Sequence, residues 1–249
     1  MTYAQPTDFD HHSIPPGAKH GFVPLPFLTS CEHTQKRLNK EMTIRRFEGG
    51  ETLQIRGRCH HRVHIILQGT AVLSTSLSDG RTQILRLLLP TDLVGRLGSE
   101  TTPYDATAIS DVTAGSISRR EFESLLRISP EMTRRLLHST LRELDEARDW
   151  LLLLGRKTAI EKLASFLLAL QRRSQSLRPN VVRLPLCQFE LADLLGLTHE
   201  TVSRQLANLR DQGVVECHGP RQIEILDIDI LADVSGNDMS EHNMAQALQ

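Results

Sequence analysis

Residues 190–212 read ELADLLGLTHETVSRQLANLRDQ, and the reading of this stretch decides the C-terminal half of the chain. Apolar residues recur at helical spacing on either side of Gly196. A first helix is expected over roughly Gln188 to Leu195. Gly196 permits a tight turn, and Thr198 caps a second helix over about His199 to Gln212. Thr201 stands three residues after the cap, where a capping box prefers Glu, so the box is incomplete. Leu191, Ala192, Leu195, Leu197, Val202, Leu206 and Leu209 form the inner face of the pair. His199, Glu200, Ser203 and Arg204 are left near the start of the outer face.

Two helices joined in this way suit a helix-turn-helix, in which the N-terminal residues of the second helix enter the major groove of DNA. Arg204 can donate two hydrogen bonds to a guanine. Glu200 can accept from a cytosine amino group, and Ser203 can donate or accept at a base edge. His199, Thr201, Gln205 and Arg210 are candidates for the DNA backbone or its neighbourhood. The competing reading is an ordinary helical hairpin with a polar face. The segment is not basic: Arg183, Arg204, Arg210 and Arg221 face Glu190, Asp193, Glu200, Asp211 and Glu216. Phosphate contacts therefore need selected positions, with Arg156, Lys157, Lys162, Arg172, Arg173 and helix N-termini as further sources. Beyond Gly213, Val214 to Glu216 and Gln222 to Leu226 predict a two-strand wing around Gly219-Pro220.

Working towards the N-terminus, Ser174 to Asn180 is a polar linker, and Thr158 to Arg173 predicts a helix. Ser129-Pro130-Glu131 opens a long helix, with Ser as cap and Pro at the first helical position. It is expected to end at Gly155. Leu137, Leu141, Leu144, Arg148 and Leu151 fall near one seam. The length of this helix favours pairing with its copy in a dimer over packing on its own domain. A short helix precedes it over Ser118 to Arg127. Before that come strands: Thr43 to Phe47, Val63 to Leu67, Ala71 to Thr75, Thr82 to Leu89, Thr107 to Ile109 and Thr113 to Ile117. Asp79-Gly80 marks a hairpin turn, and Pro90, Asp92 and Gly95 mark bends. Short strands with glycine-rich turns favour a sandwich or jelly roll. A short helix over Cys31 to Lys40 and an irregular, proline-broken tail precede them. In that tail His11, His12 and His20 are better read as tail residues than as metal ligands.

The pattern is therefore α+β: an N-terminal sandwich or jelly roll, a long helix that favours dimerisation and a C-terminal winged helix-turn-helix. The expected division is 1–28 tail, 29–128 roll, 129–154 dimerisation helix, 155–233 winged helix and 234–249 tail. Hydrophobic residues at 39% and charged residues at 24% permit a packed core. A net charge of −1 excludes a non-specific nucleic-acid coat but not a local positive face. The four cysteines, Cys31, Cys59, Cys187 and Cys217, form no CxxC pair. No apolar run is long enough to span a bilayer, and the cytoplasm is expected, with no membrane partner. No Ser–His–acid elbow, HExxH or glycine-rich phosphate loop argues for an enzyme.

The stretches FEGGETL, IILQGTAVL, SDGRTQIL, LLLLGRKTAIEKLASFLL and LADLLGLTHETVSRQL resemble the Crp/Fnr family of transcription regulators over roughly Thr29 to Asp229. The Glu200-x-x-Ser203-Arg204 arrangement resembles the Fnr-type recognition helix. The resemblance implies that the N-terminal part is a double-stranded beta-helix (jelly roll), and that the protein is a homodimer that reads a palindrome of TTGAT half-sites in double-stranded DNA and contacts RNA polymerase to activate transcription. Members that respond to cyclic AMP carry Glu after the Gly of a GEL segment and a later Arg-Ser pair. Here Arg96 follows Gly95, and Asp105 and Ala106 stand near the later positions, so cyclic nucleotide binding is not favoured. Fnr-type iron–sulfur ligation needs a close N-terminal cysteine group and a later cysteine. This chain has Cys31 alone in the N-terminal region and Gly115 near the later position.

No cofactor or metal is therefore expected, and the subgroup most resembled is the FixK-type regulators of microaerobic, nitrogen-fixation or denitrification genes. In one branch of these, a cysteine before the helix-turn-helix resembles Cys187. Its oxidation would add bulk and charge near DNA phosphate; the alternative is a small buried structural residue. Cys217, in the wing, is a weaker redox candidate. The run Cys59, His60, His61 and His64 leaves haem or metal sensing as a further alternative to a solvated strand edge. A small-ligand-responsive regulator of the same fold is the runner-up function. A non-DNA assembly protein would leave the polar face of the second helix without a task.

Overall fold

The computed structural model describes residues 31–173 and 180–236. The expected tail over 1–28, most of the 174–180 linker and most of the 234–249 tail lie outside the described residues. The chain opens with α1 (Glu32–Glu41), then β1 (Thr43–Phe47), β2 (Thr52–Gln54), β3 (Arg62–Gln68), β4 (Ala71–Ser76), β5 (Thr82–Leu88), β6 (Leu93–Val94), β7 (Asp105–Ala108) and β8 (Val112–Ser118). These eight strands form two four-stranded sheets, in the orders β1, β8, β3, β6 and β2, β7, β4, β5. All named pairs within them are antiparallel. This is the expected roll. The Asp79-Gly80 turn is present, with Gly80 at φ +90° and Asp79 accepting from the Arg81 backbone N–H at 3.0 Å.

Strand alternation sorts the apolar residues of β3. Val63 and Ile65 pack with Leu38, Ile117, Phe122, Leu125 and Met132 on the helix-covered side. Ile66 packs inside the roll with Phe47, Leu53, Ala71, Leu88, Val94, Ala106 and Ala114. Gly69, at φ +88°, turns β3 into β4 where an added Cβ would strike the Asp111 carbonyl. Only glycine combines that φ with so close a backbone approach.

Helices follow: α2 (Arg119–Ile128), α3 (Pro130–Arg156) and α4 (Ala159–Arg173). Ser118 and Ser129 cap α2 and α3 by accepting from the N–H groups of Glu121 and Met132. Gly155 does not end α3, contrary to the sequence expectation. The helix runs through it to Arg156, and Lys157 is the C-cap. An added Cβ at Gly155 would meet open space, and Gly155 does not adopt a left-handed φ, so only its modest propensity cost opposes the helix. The Lys157 ammonium anchors the corner by donating to Ser165 Oγ at 2.9 Å and to the Ser235 carbonyl at 2.8 Å.

The C-terminal part contains β9 (Val181–Arg183), α5 (Gln188–Leu195), α6 (His199–Asp211), β10 (Val215–Cys217), β11 (Gln222–Ile225) and α7 (Ile228–Val234). The wing has three strands rather than the two expected, because β9 pairs with β11. At three residues β9 is too short to show periodicity. The sequence reading also passed over β2, β6 and α7. No described helix is long and apolar enough to cross a membrane.

The roll and the C-terminal module share a core. Val72, Ile84 and Leu87 of the roll belong to the same buried cluster as Leu163, Leu167, Leu191, Leu195, Val202 and Leu206. Gln83 Nε2 also donates to the Leu194 carbonyl at 3.1 Å. A second junction is ionic. Arg86 of β5 reaches Asp92 at 2.9 Å, Glu143 of α3 at 2.5 Å and Glu146 of α3 at 3.8 Å. Strand β5 thus touches the helix-turn-helix at one end and α3 at the other.

Candidate nucleic-acid interface

The turn between α5 and α6 is built as its residues require. Gly196 sits in the left-handed region at φ 60° and ψ 41°, and its N–H donates to the Ala192 carbonyl. Thr198 caps α6, its Oγ1 accepting from the Thr201 N–H at 3.2 Å. The capping box left incomplete at α6 exists instead on α5, where Glu190 Oε2 accepts from the Cys187 N–H at 2.6 Å. Cys187 is therefore the N-cap residue of α5 and is half-buried.

Val202, Leu206 and Leu209 of α6 are buried against Leu191, Ala192, Leu194 and Leu195 of α5. This fixes the rotation of α6 and leaves Glu200, Ser203 and Arg204 on its exposed side. Hydrogen bonds from its own backbone N–H and from the Thr198 hydroxyl hold the Glu200 carboxyl below its usual range, so it is an acceptor at neutral pH. His199, Thr201 and Gln205 are half-exposed around the same end of the helix. Arg210 lies on the exposed surface at the far end, paired with Asp211 at 3.3 Å.

Two expected phosphate helpers are turned away from this role. Lys157 is spent on Ser165 and Ser235, and Lys162 is buried at 9% exposure. Arg156 remains exposed, while the side chains of Arg172 and Arg173 lie outside the described residues.

The sequence reading missed Phe189. It is the second residue of α5, 67% exposed, and its ring stacks on that of His199 with centroids 4.1 Å apart and planes 11° from parallel. An aromatic on the polar side of an otherwise clear helix pattern was the available signal.

The match to known families decides what this geometry belongs to. Residues 161–234 match the Crp-like helix-turn-helix domain, and residues 44–129 match the cyclic nucleotide-binding domain. Over 200 residues the chain is 42% identical to the transcriptional activator protein FnrL of Cereibacter sphaeroides, covering 78% of this chain and 81% of that protein. The chain belongs to the Crp/Fnr family. This Crp/Fnr protein is also 35% identical over 208 residues to the nitrogen fixation regulation protein FixK of Bradyrhizobium diazoefficiens, covering 80% of this chain and 85% of that one. The solved structure of FixK2 from Bradyrhizobium japonicum is similar at a TM-score of 0.71 and 34% identity, covering 78% of this chain and 96% of that chain.

The positions at which the resemblance would place ligand groups make other contacts in this chain. Arg96 is exposed, Ala106 is buried in the roll, and Asp105 Oδ1 accepts from the Arg56 N–H at 2.8 Å. At Gly115 an added Cβ would meet the Met42 sulfur, so the flexible Met42 side chain would have to shift to admit a larger residue. The Cys59 and histidine run is dispersed. His60 Nε2 lies 2.8 Å from the Ile55 carbonyl oxygen, whereas His64 is buried edge-on to Phe47 at 5.7 Å between centroids. Burial first, then the charges of Arg45 and Arg62, push His64 down to about 4, which keeps it neutral. Among the described residues, the group of three that brings ligand-type atoms within 4.8 Å of one another is Glu216, His218 and Glu224 in the wing. There His218 and Glu224 already share a 2.6 Å hydrogen bond.

Proposed function

We propose that this protein is a homodimeric transcription activator that binds a TTGAT-type palindrome in double-stranded DNA and recruits RNA polymerase. The observation that carries the reading is the exposed start of α6. Glu200, Ser203 and Arg204 stand together above an apolar face locked onto α5, as major-groove readout requires. Dimerisation is supported by α3, whose Leu137, Leu141, Leu144 and Leu151 are 57%, 50%, 46% and 72% exposed. Arg148 on the same seam is also exposed, paired with Asp145 at 2.9 Å. A leucine seam left in water favours burial against a second copy. A two-fold dimer through α3 presents two α6 helices to two half-sites.

The relatives named as a transcriptional activator and as a nitrogen fixation regulation protein support a role in gene activation; we place it in the cytoplasm, in the control of microaerobic or anaerobic genes. We assign residues 29–128, 129–154 and 155–233 to sensory, dimerisation and DNA-binding units. Cys187 is the proposed redox position. As the half-buried N-cap of α5, its oxidation would place charge and bulk beside the DNA-facing surface.

The test is quantitative binding of the purified protein to a TTGAT palindrome and to a scrambled duplex at fixed salt, with and without reductant. Selective binding supports the regulator, and loss of selectivity on oxidation supports redox control. Equal binding to both duplexes overturns the base-reading assignment.

A second reading, response to a small ligand, is favoured by a cleft of about 570 Å³ between the 91–97 segment and α3. It is lined by Ile65, Leu93 and Leu136 together with Arg96, Arg142 and Glu143. Calorimetry against cyclic nucleotides, and haem titration, distinguish it from ligand-independent action.

A further inference from the structure

Phe189 and His199 form a stacked pair at the mouth of the helix-turn-helix, Phe189 exposed and His199 half-exposed. Phe189 is not part of the buried core shared by α4, α5 and α6, and 67% of its surface is open to water. It occupies the second position of α5, one residue beyond Gln188 and two beyond the Cys187 cap. Its ring lies flat on His199, the first residue of α6, at 4.1 Å and 11°. The pair therefore joins the N-terminus of α5, the helix that crosses the DNA backbone in a helix-turn-helix, to that of α6, the helix that enters the groove.

Stacking has two consequences. It holds the Phe189 ring against α6 rather than letting it sweep freely, so less rotamer freedom is lost on contact. It also brings a rigid apolar surface to the base-reading row that begins with Glu200. The other exposed groups of that row, Glu200, Ser203 and Arg204, are hydrogen-bonding groups suited to cytosine and guanine edges. None of these three carries an apolar group for the 5-methyl of thymine; on the same side stand the half-exposed Thr201 methyl and the larger, more exposed Phe189 ring.

We propose that Phe189 is a specificity-determining residue that reads the 5-methyl group of one thymine in each half-site, with His199 as the positioning residue that holds its ring. The inference rests on the proposed DNA-binding function and adds a base contact to it. The contact is apolar, so it discriminates thymine from uracil, which presents the same hydrogen-bonding edge without the methyl.

The experiment replaces each thymine of the palindrome in turn by deoxyuracil and measures affinity for the full-length protein and for Phe189→Ala. Burial of one methyl group corresponds to about a fourfold change in affinity. One symmetric thymine position is expected at which uracil weakens the parent protein by about that factor and leaves Phe189→Ala unaffected. Phe189→Leu, which keeps an apolar surface, should retain part of the sensitivity. His199→Ala should reduce it while preserving preference at the base pairs read by Glu200 and Arg204.

The inference is overturned if no single thymine shows the effect. It is equally overturned if uracil weakens the parent and Phe189→Ala alike, which would assign the methyl to another group. If the parent fails to prefer the palindrome over a scrambled duplex, the DNA-binding assignment itself fails, and that result is separate. Circular dichroism and thermal unfolding establish that each variant is folded; the exposure of Phe189 leads us to expect little change.

Discussion

Replacing Glu146 by Gln should stabilise the protein at alkaline pH and flatten its stability profile. The Glu146 side chain is 8% exposed on the roll-facing side of α3, with carboxyl oxygens 3.8 Å from Arg86 and 3.8 Å from Arg142. Arg86 is nearer to Asp92 and Glu143, at 2.9 and 2.5 Å, so one guanidinium is shared among three carboxylates. Burial raises the Glu146 carboxyl from 4.5 to about 7. Arg86 and Arg142 oppose the rise, and Asp92 and Glu143 add to it.

A displacement of that size corresponds to about 3 kcal/mol. The folded-state value lies above the unfolded one, so the contribution to stability is full below 4.5 and is lost as pH rises through about 7. Glutamine keeps the shape and cannot ionise. Relative to the parent, Glu146→Gln should gain stability steadily between those two values, reaching about 3 kcal/mol above pH 7. Urea unfolding from about pH 4.5 to about pH 8.5, at fixed protein concentration and salt, reads the difference directly. Parallel pH profiles, or a variant less stable than the parent at about pH 8, would refute the reasoning. The latter outcome would mean that the Arg86 ion pair outweighs the burial cost.

Other consequences are as direct. Arg204→Ala should cost about 1–3 kcal/mol at one base pair and relax preference there, read by competition among operators mutated at single positions; unchanged preference removes Arg204 from the base-reading set. Leu151→Glu places a charge at the most exposed leucine of the α3 seam, 72% open in one protomer. Sedimentation should shift towards monomer, with operator affinity falling in parallel. Cys187→Ser should leave binding in reductant within about threefold and make it insensitive to peroxide. A variant inhibited by peroxide as strongly as the parent would exclude Cys187 and direct attention to the exposed Cys31, Cys59 and Cys217.

The elements legible in advance were those with strong local chemistry. The Gly196 turn, the Thr198 cap, the Asp79-Gly80 hairpin and the Ser129-Pro130 helix start were each set by side chains acting on their own backbone. Glu200, Ser203 and Arg204 were placed on the outer face because the apolar residues of α6 recur at helical spacing. Weak local signals failed. Strands β2, β6 and β9 contain three, two and three residues. They exist because neighbouring strands hold them, so no period could announce them. Gly155 failed for the converse reason: its punctuation is only a propensity, and the cap at Lys157 and the packing of Leu153 override it.

The amino-acid sequence by itself determined the family, the order of the longer elements, and the row of hydrogen-bonding side chains that begins α6. Those depend on spacing and on contacts a few residues apart. Tertiary structure alone decided what lies between distant segments. It brought β5 against both α5 and α3, gathered Arg86, Asp92, Glu143 and Glu146 into one half-buried cluster, and turned Lys157 inward to Ser235. It also laid Phe189 on His199. Residues so far apart in the chain meet only when the packed core fixes the angle between the helices that carry them, and that angle is a property of the whole fold rather than of any local stretch.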